Sequence, residues 1–169
     1  VETDAPHPRS VYGKSKFAGE AEALAHAAAV VARTSWVSGA AGSNIVKTVM
    51  KLVRRREPLA FVTDQVGHPT FTADLAPALL TLAADRRTGI FHVTNQGAVS
   101  WHEFAREIVR RMGQDPDMVQ ATTTARLDPP RPAPRPANSV LANAAWRAAG
   151  YAPLRDFREP LGELLAALG

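Results

Sequence analysis

The run Val30-Val31-Ala32-Arg33-Thr34 is short and apolar, and it stands between two stretches of helical periodicity. No other feature constrains the fold more. A run of this length between helices reads as a strand of a parallel sheet covered on both faces. Glycines at 39 and 42 then turn the chain, and Asn44 opens the second helical stretch. Strand, Gly-containing turn and helix N-terminus follow in the order that dinucleotide-binding α/β folds use for a phosphate site. No G-x-G-x-x-G occurs anywhere in the sequence.

The remaining pattern continues the alternation. Residues 10 to about 28 read as a helix whose buried face is Val11, Phe17, Ala18, Ala21, Leu24 and Ala25. The helix over 44–56 turns Ile45, Val49, Leu52 and Val53 inward, and 59–62 form a short strand. Asp64-Gln65-Val66-Gly67-His68-Pro69-Thr70 is rich in turn residues and reads as a loop. Residues 72–84 return to helix and 89–94 to strand. Ser100 and Glu103 have capping-box spacing, opening a helix that ends near Gly113. Asp156-Phe157-Arg158-Glu159 gives a second such signal before a last helix to about residue 168. Between them, residues 129–136 hold five prolines in eight positions, an extended and stiff segment. The class is α/β with some parallel sheet. Two or three short strands are too few for a doubly wound sheet, so the chain reads as the second half of a larger fold.

A chain of 169 residues, 46% of them hydrophobic, falls in the single-domain range and can bury a core. It has no apolar run of about 18 residues and no signal-like start, and it has no cysteine, which together point to a cytoplasmic protein without membrane insertion. The net charge of +4 draws on Lys51, Arg54, Arg55 and Arg56 at a helix end, where basic residues complement the helix dipole. Nucleic-acid binding is not expected without a binding motif.

Tyr12 and Lys16, four apart, lie on one side of the first helix. An ammonium fixed beside a phenol favours the phenolate and prepares a proton donor for ketone reduction. A bare Tyr-x-x-x-Lys is also what an amphipathic helix shows to solvent. The ordered company decides between them: Tyr12-Gly13-Lys14-Ser15-Lys16-Phe17-Ala18-Gly19-Glu20, Arg33-Thr34-Ser35-Trp36-Val37, Asn44-Ile45-Val46-Lys47-Thr48, Asp64 to Thr70, Ala73-Asp74-Leu75-Ala76, Gly89 to Thr94 and Arg135-Pro136-Ala137-Asn138-Ser139. In this order they resemble the extended short-chain dehydrogenase/reductase superfamily and, within it, the dTDP-4-dehydrorhamnose reductase family.

The resemblance implies an α/β fold. It would be the C-terminal portion of an NAD(P)-binding Rossmann-type fold plus a small substrate-binding domain, with the first βαβ half absent. Residues 1–40 would end the dinucleotide-binding domain. Residues 41–169 would mainly form the nucleotide-sugar domain, with 72–96 returning to the Rossmann sheet. It implies Tyr12 as general acid to the sugar C4 oxygen and Lys16 as its partner, both contacting the cofactor, NADPH or NADH. Ser35 would line the nicotinamide. Trp36 would pack on the sugar, where core filling is the alternative. Asn44 is an N-cap that relatives also turn toward the diphosphate. Arg135 falls near the nucleotide, or is an exposed loop arginine.

His68, His92 and His102 lack metal-ligand spacing, and no metal is assigned, although some relatives are described with magnesium at a dimer contact. The partner implied is a dTDP-sugar, and a homodimer is compatible with the family. Ser38 departs from the family, which commonly has an aromatic there, and the Gly-rich phosphate loop and catalytic Ser/Thr are missing. The activity implied for the complete polypeptide is NAD(P)H-dependent reduction of dTDP-4-dehydro-L-rhamnose, with this chain alone inactive. A 4-ketoreductase of another nucleotide deoxysugar and a non-catalytic subunit of the superfamily are the rivals.

Overall fold

The computed structural model describes residues 1–130 and 132–169; Arg131, inside the proline-rich segment, lies outside the described residues. Chain order is α1 (Val11–Leu24), β1 (Val30–Arg33), β2 (Val37–Ser38), α2 (Ile45–Arg55), β3 (Leu59–Val62), β4 (Val66–Gly67), β5 (Thr70–Phe71) and α3 (Thr72–Ala84). There follow β6 (Gly89–His92), β7 (Val99–Ser100), α4 (Trp101–Arg111), β8 (Val119–Thr122), β9 (Asn138–Ser139), α5 (Ala144–Ala148) and α6 (Arg158–Leu168). The strands make small sheets, and no doubly wound sheet forms among the described residues. Pairings β1–β6, β2–β5, β3–β8 and β4–β9 are parallel, while β4–β7 is antiparallel.

Two apolar clusters hold these pieces together. The larger joins α2, β3, α4, β8 and α6, and Val46, Val49, Phe104, Ala105, Ile108, Val109, Phe157 and Leu161 are sealed from solvent in it. Helix α4 enters this core because its apolar residues fall at 104, 105, 108 and 109, one stripe of a 3.6-residue repeat. Its start is fixed by Ser100 and Glu103, which satisfy each other's backbone N–H groups as the spacing predicts. The smaller cluster sets Leu75, Ala78 and Leu82 of α3 beside Phe91, Val93 and Trp146, with Val30 and Ala32 of β1 packed against it.

Several expectations are corrected. The face predicted for α1 is not buried: the helix has no buried residue, and Val11 and Phe17 are exposed. The predicted face is not a clean apolar stripe, since Lys14 falls within it, and none of its residues is buried among the described residues. Strand β1 is parallel as expected yet only half-buried along its length. The stretch 64–70 is not all loop, since Val66–Gly67 and Thr70–Phe71 pair with neighbouring segments. Two-residue strands carry no periodicity, and their hydrogen-bond partners lie far away in sequence. The same reason hides β2, β7 and β9, and the four-residue β8 has too few apolar positions to show, so more strands form than the pattern predicts. Inward residues of α2 also differ in part: Val46, Val49 and Met50 are buried, while Ile45, Leu52 and Val53 are half-buried. At α6 the Asp156 side chain accepts from the Arg158 N–H, without the reciprocal Glu159 bond of a capping box.

Candidate active site

Helix α1 begins where the Ser10 hydroxyl accepts from the Gly13 N–H at 3.0 Å. Tyr12 therefore sits in the first turn and Lys16 one turn on. The Tyr12 side is open to solvent, 70% exposed, and the Lys16 ammonium lies 5.8 Å from the centre of the Tyr12 ring. That places a positive charge within reach of the phenol without consuming its hydroxyl. The helix is tied down mainly by Glu20, whose carboxylate takes two bonds from the Arg33 guanidinium of β1, at 2.9 and 2.6 Å. This bidentate, half-sheltered bond keeps Arg33 more firmly protonated than usual.

At the end of β1 the chain delivers Ser35 and Trp36. Ser35 is buried, and its hydroxyl has no hydrogen-bond partner among the described residues. A buried orphan hydroxyl calls for an explanation, and a polar ligand is one of the few available. Trp36 adopts a left-handed backbone, φ 45°. Its indole stacks on that of Trp101, ring centres 3.6 Å apart and planes 11° from parallel. It is half-buried and adjoins the larger core, so it is neither an interior filler nor a free surface ring. Gly67 lies against it: a Cβ there would stand 2.7 Å from Trp36 Cε2.

Asn44 caps α2 as expected. Its Oδ1 accepts from the Lys47 N–H at 3.2 Å and its Nδ2 donates to the Gly39 carbonyl at 2.8 Å. The Lys47 ammonium reaches the carbonyls of Ala40 and Gly42, so the glycine loop is folded over the helix start from both sides. Arg135 is exposed, and no hydrogen bond or ion pair of its side chain is recorded among the described residues. The strand that follows it, β9, pairs with β4 so that Ser139 stands opposite Gly67. The Trp36 site and the Arg135 segment thus meet at β4. Among the described residues, no hydrogen bond, ion pair or aromatic contact joins Tyr12 or Lys16 to Ser35, Trp36, Asn44 or Arg135.

Sequence reasoning missed the polar groups that lock these elements. The Glu2 carboxylate accepts from the backbone N–H groups of His92, Ala144 and Ala145, tying the approach to α1 onto β6 and the start of α5. Burial pushes this carboxyl up, but the N–H groups of His92 and Ala145 outweigh it and hold it below its ordinary value. His92 is buried and its imidazole is pushed down by that burial, against the pull of Glu2. His68 is likewise pushed down by burial, and its Nδ1 lies 3.0 Å from the Thr94 hydroxyl, which bonds in turn with Asn143. Asp74 accepts from Asn95 and Arg155, joining α3 to the approach of α6. The strand predicted over 89–94 ends at His92, and Thr94 with Asn95 lies just past it; a polar pair at a strand end is the available signal.

Among the described residues, no group of three or more His, Asp or Glu side chains could hold a metal ion, and no helix is long and apolar enough to cross a membrane. Comparison with known proteins gives a consistent result. The RmlD substrate binding domain family model matches residues 1–169. A dTDP-4-dehydrorhamnose reductase of Streptomyces griseus is 43% identical over 95% of this chain and 55% of its own length. A Streptomyces antibioticus protein named as a probable dTDP-4,6-dihydroxy-2-methyloxan-3-one 4-ketoreductase is 42% identical over 92% of this chain and 53% of its own. Among solved structures, the dTDP-4-dehydrorhamnose reductase of Bacillus anthracis in complex with NADP superposes with a TM-score of 0.92 at 33% identity, covering 98% of this chain and 58% of that one. The chain spans about half the length of the curated relatives it matches.

Proposed function

The chain belongs to the RmlD substrate-binding-domain family, and on that premise we propose that it is the substrate-binding and acid-bearing portion of a nucleotide-sugar 4-ketoreductase. The reaction of the complete polypeptide is reduction of the C4 ketone of dTDP-4-dehydro-L-rhamnose to dTDP-L-rhamnose. The observation that carries this reading is the Tyr12–Lys16 pair: an exposed phenol with an ammonium 5.8 Å from its ring.

NADPH or NADH supplies the hydride when bound. The residues present fit its nicotinamide-ribose end, through Tyr12, Lys16 and the orphan hydroxyl of Ser35; the sequence holds no G-x-G-x-x-G for its phosphates. Tyr12 gives its phenolic proton to the C4 oxygen, so the ketone becomes a secondary alcohol. The Lys16 ammonium stabilises the charge left on the phenol and helps return a proton to it. Trp36 packs on the sugar. The N-terminus of α2, with Asn44, faces the diphosphate, where free N–H groups and the helix dipole favour an anion. Arg135 adds positive charge on the nucleotide side. Residues 1–40 and 72–96 lie with the dinucleotide-binding sheet, and the rest of 41–169 forms the sugar domain. The β1–β6 pairing and the packing of β1 on the smaller cluster support that division.

The test is NAD(P)H-dependent reduction of dTDP-4-dehydro-L-rhamnose by the complete polypeptide. Removing a general acid typically costs about 10²–10⁴-fold, so Tyr12→Phe is expected to lose rate by that order. Unchanged turnover in the variant overturns the assignment of Tyr12. The likeness to the Streptomyces antibioticus ketoreductase, together with the small Ser38 two residues after Trp36, favours a second reading with a different dTDP-deoxysugar. Profiling several dTDP- and UDP-4-keto sugars separates the two.

A further inference from the structure

Trp36 is held in an unusual posture, and the residues holding it were not among those predicted to touch ligand. A left-handed backbone at a bulky aromatic residue is disfavoured and persists only where surrounding contacts impose it. Three such contacts are present. The Thr70 N–H donates to the Trp36 carbonyl at 3.3 Å. Gly67 leaves room for the six-membered edge of the indole, where a Cβ would stand 2.7 and 2.9 Å from Cε2 and Cζ2. Trp101 covers the indole at 3.6 Å, nearly parallel.

Trp101 is itself rigidly mounted. It is the first residue of α4, directly after the Ser100 cap. Its ring centre lies 6.4 Å from that of Phe104, which is sealed in the core and packs edge-on against Phe157 at 5.6 Å. An unbroken aromatic line therefore runs from the deepest core to Trp36.

We propose that Trp101 is a positioning residue for the sugar site: it sets the plane of the Trp36 indole and so sets apparent affinity for the nucleotide sugar, without contacting the reacting atoms. This rests on the reading of Trp36 as the sugar contact. Gly67 serves the same end from another side. Its backbone is not in the left-handed region, so what opposes an alanine there is the space that Trp36 and Ser139 fill.

The experiment uses the complete polypeptide and dTDP-4-dehydro-L-rhamnose. In the parent protein the stacked indoles give an exciton couplet in far-ultraviolet circular dichroism, which Trp101→Leu and Trp36→Ala both remove. Trp101→Leu is expected to raise KM for the sugar by between about twofold and tenfold, the range an aromatic pair supplies, with kcat per folded enzyme nearly unchanged. Trp101→Phe, which keeps a ring at the same place, restores KM. Gly67→Ala raises KM in the same direction. If Trp101 were only a core residue, its replacement would lower the folded fraction and leave KM alone, and that result overturns the proposal. A parent protein without the couplet overturns it as well. If Trp36→Ala leaves KM unchanged, the sugar-contact reading of Trp36 is what has failed. If Trp36→Ala raises KM and Trp101→Leu does not, that reading stands and the positioning role falls.

Discussion

Helices α4 and α1 are close in length and opposite in circumstance. Four residues of α4 are sealed within the larger core, whereas α1 has none buried, and its apolar Val11 and Phe17 face solvent. Yet α1 carries Tyr12 and Lys16, while α4 contributes to the site only through its first residue, Trp101. The difference separates a helix that belongs to the core from one that lies on the surface of the described residues. The elements around α2, α4 and α6 bring their own core, whereas α1 lies on β1, tied there by the Glu20–Arg33 ion pair, with its outer face exposed among the described residues.

Three comparisons break or sharpen this contrast. The largest is in the core. Phe104→Ala should cost about 3–5 kcal/mol, because it opens a cavity between Trp101 and Phe157. Phe17→Ala on α1 should stay within about 0.5 kcal/mol in this chain, as for an exposed substitution. Denaturant unfolding of both variants measures the gap, and equal losses would erase the distinction between the two helices. Next is the Glu20–Arg33 tie. Glu20→Gln removes a charged, bidentate contact worth about 1.5–3 kcal/mol. Because only α1 depends on it, hydrogen exchange should speed up in α1 while α4 amides keep their protection. A uniform acceleration would mean that α1 unfolds only with the whole molecule.

The smallest effect is on pH dependence, and it lies in the seams between elements. His68 and His92 have folded-state values pushed below the ordinary value of about 6.5, so the unfolded chain binds more protons just below that pH. Their contribution is complete above about 6.5 and is lost as pH falls through the folded values. Glu2 acts in the same direction at lower pH: its carboxyl is held below the ordinary range, so its contribution is present above that range and lost on acidification. Stability should therefore fall from about pH 6.5 downward, and His68→Asn should flatten the upper part of the fall. An unchanged slope in that variant would remove His68 from the account.

Much of this was legible in the residues. The strand at 59–62 and the helix at 72–84 have the predicted bounds because local pattern and tertiary environment agree there. The capping box at Ser100 and the N-cap at Asn44 were readable because caps are short-range chemistry. Spacing alone put Tyr12 and Lys16 on one side of a helix. What failed depended on distant partners. The predicted apolar face of α1 does not hold: Lys14 interrupts it and none of its residues is buried, since burial belongs to the neighbour as much as to the helix. The two-residue strands, the Glu2 carboxylate on His92 and Ala145, and the Trp36–Trp101 stack all join residues far apart in the chain. No periodicity records such pairs.

The most direct test of the central claim compares NAD(P)H consumption by this 169-residue chain and by the complete polypeptide, each with and without Tyr12→Phe. The expected result is turnover of the dTDP-4-keto sugar by the complete protein that depends on Tyr12, and none by the chain alone. Tyr12-dependent turnover by the chain alone would contradict the account, because it would mean that the exposed helix needs no further surface to do its chemistry.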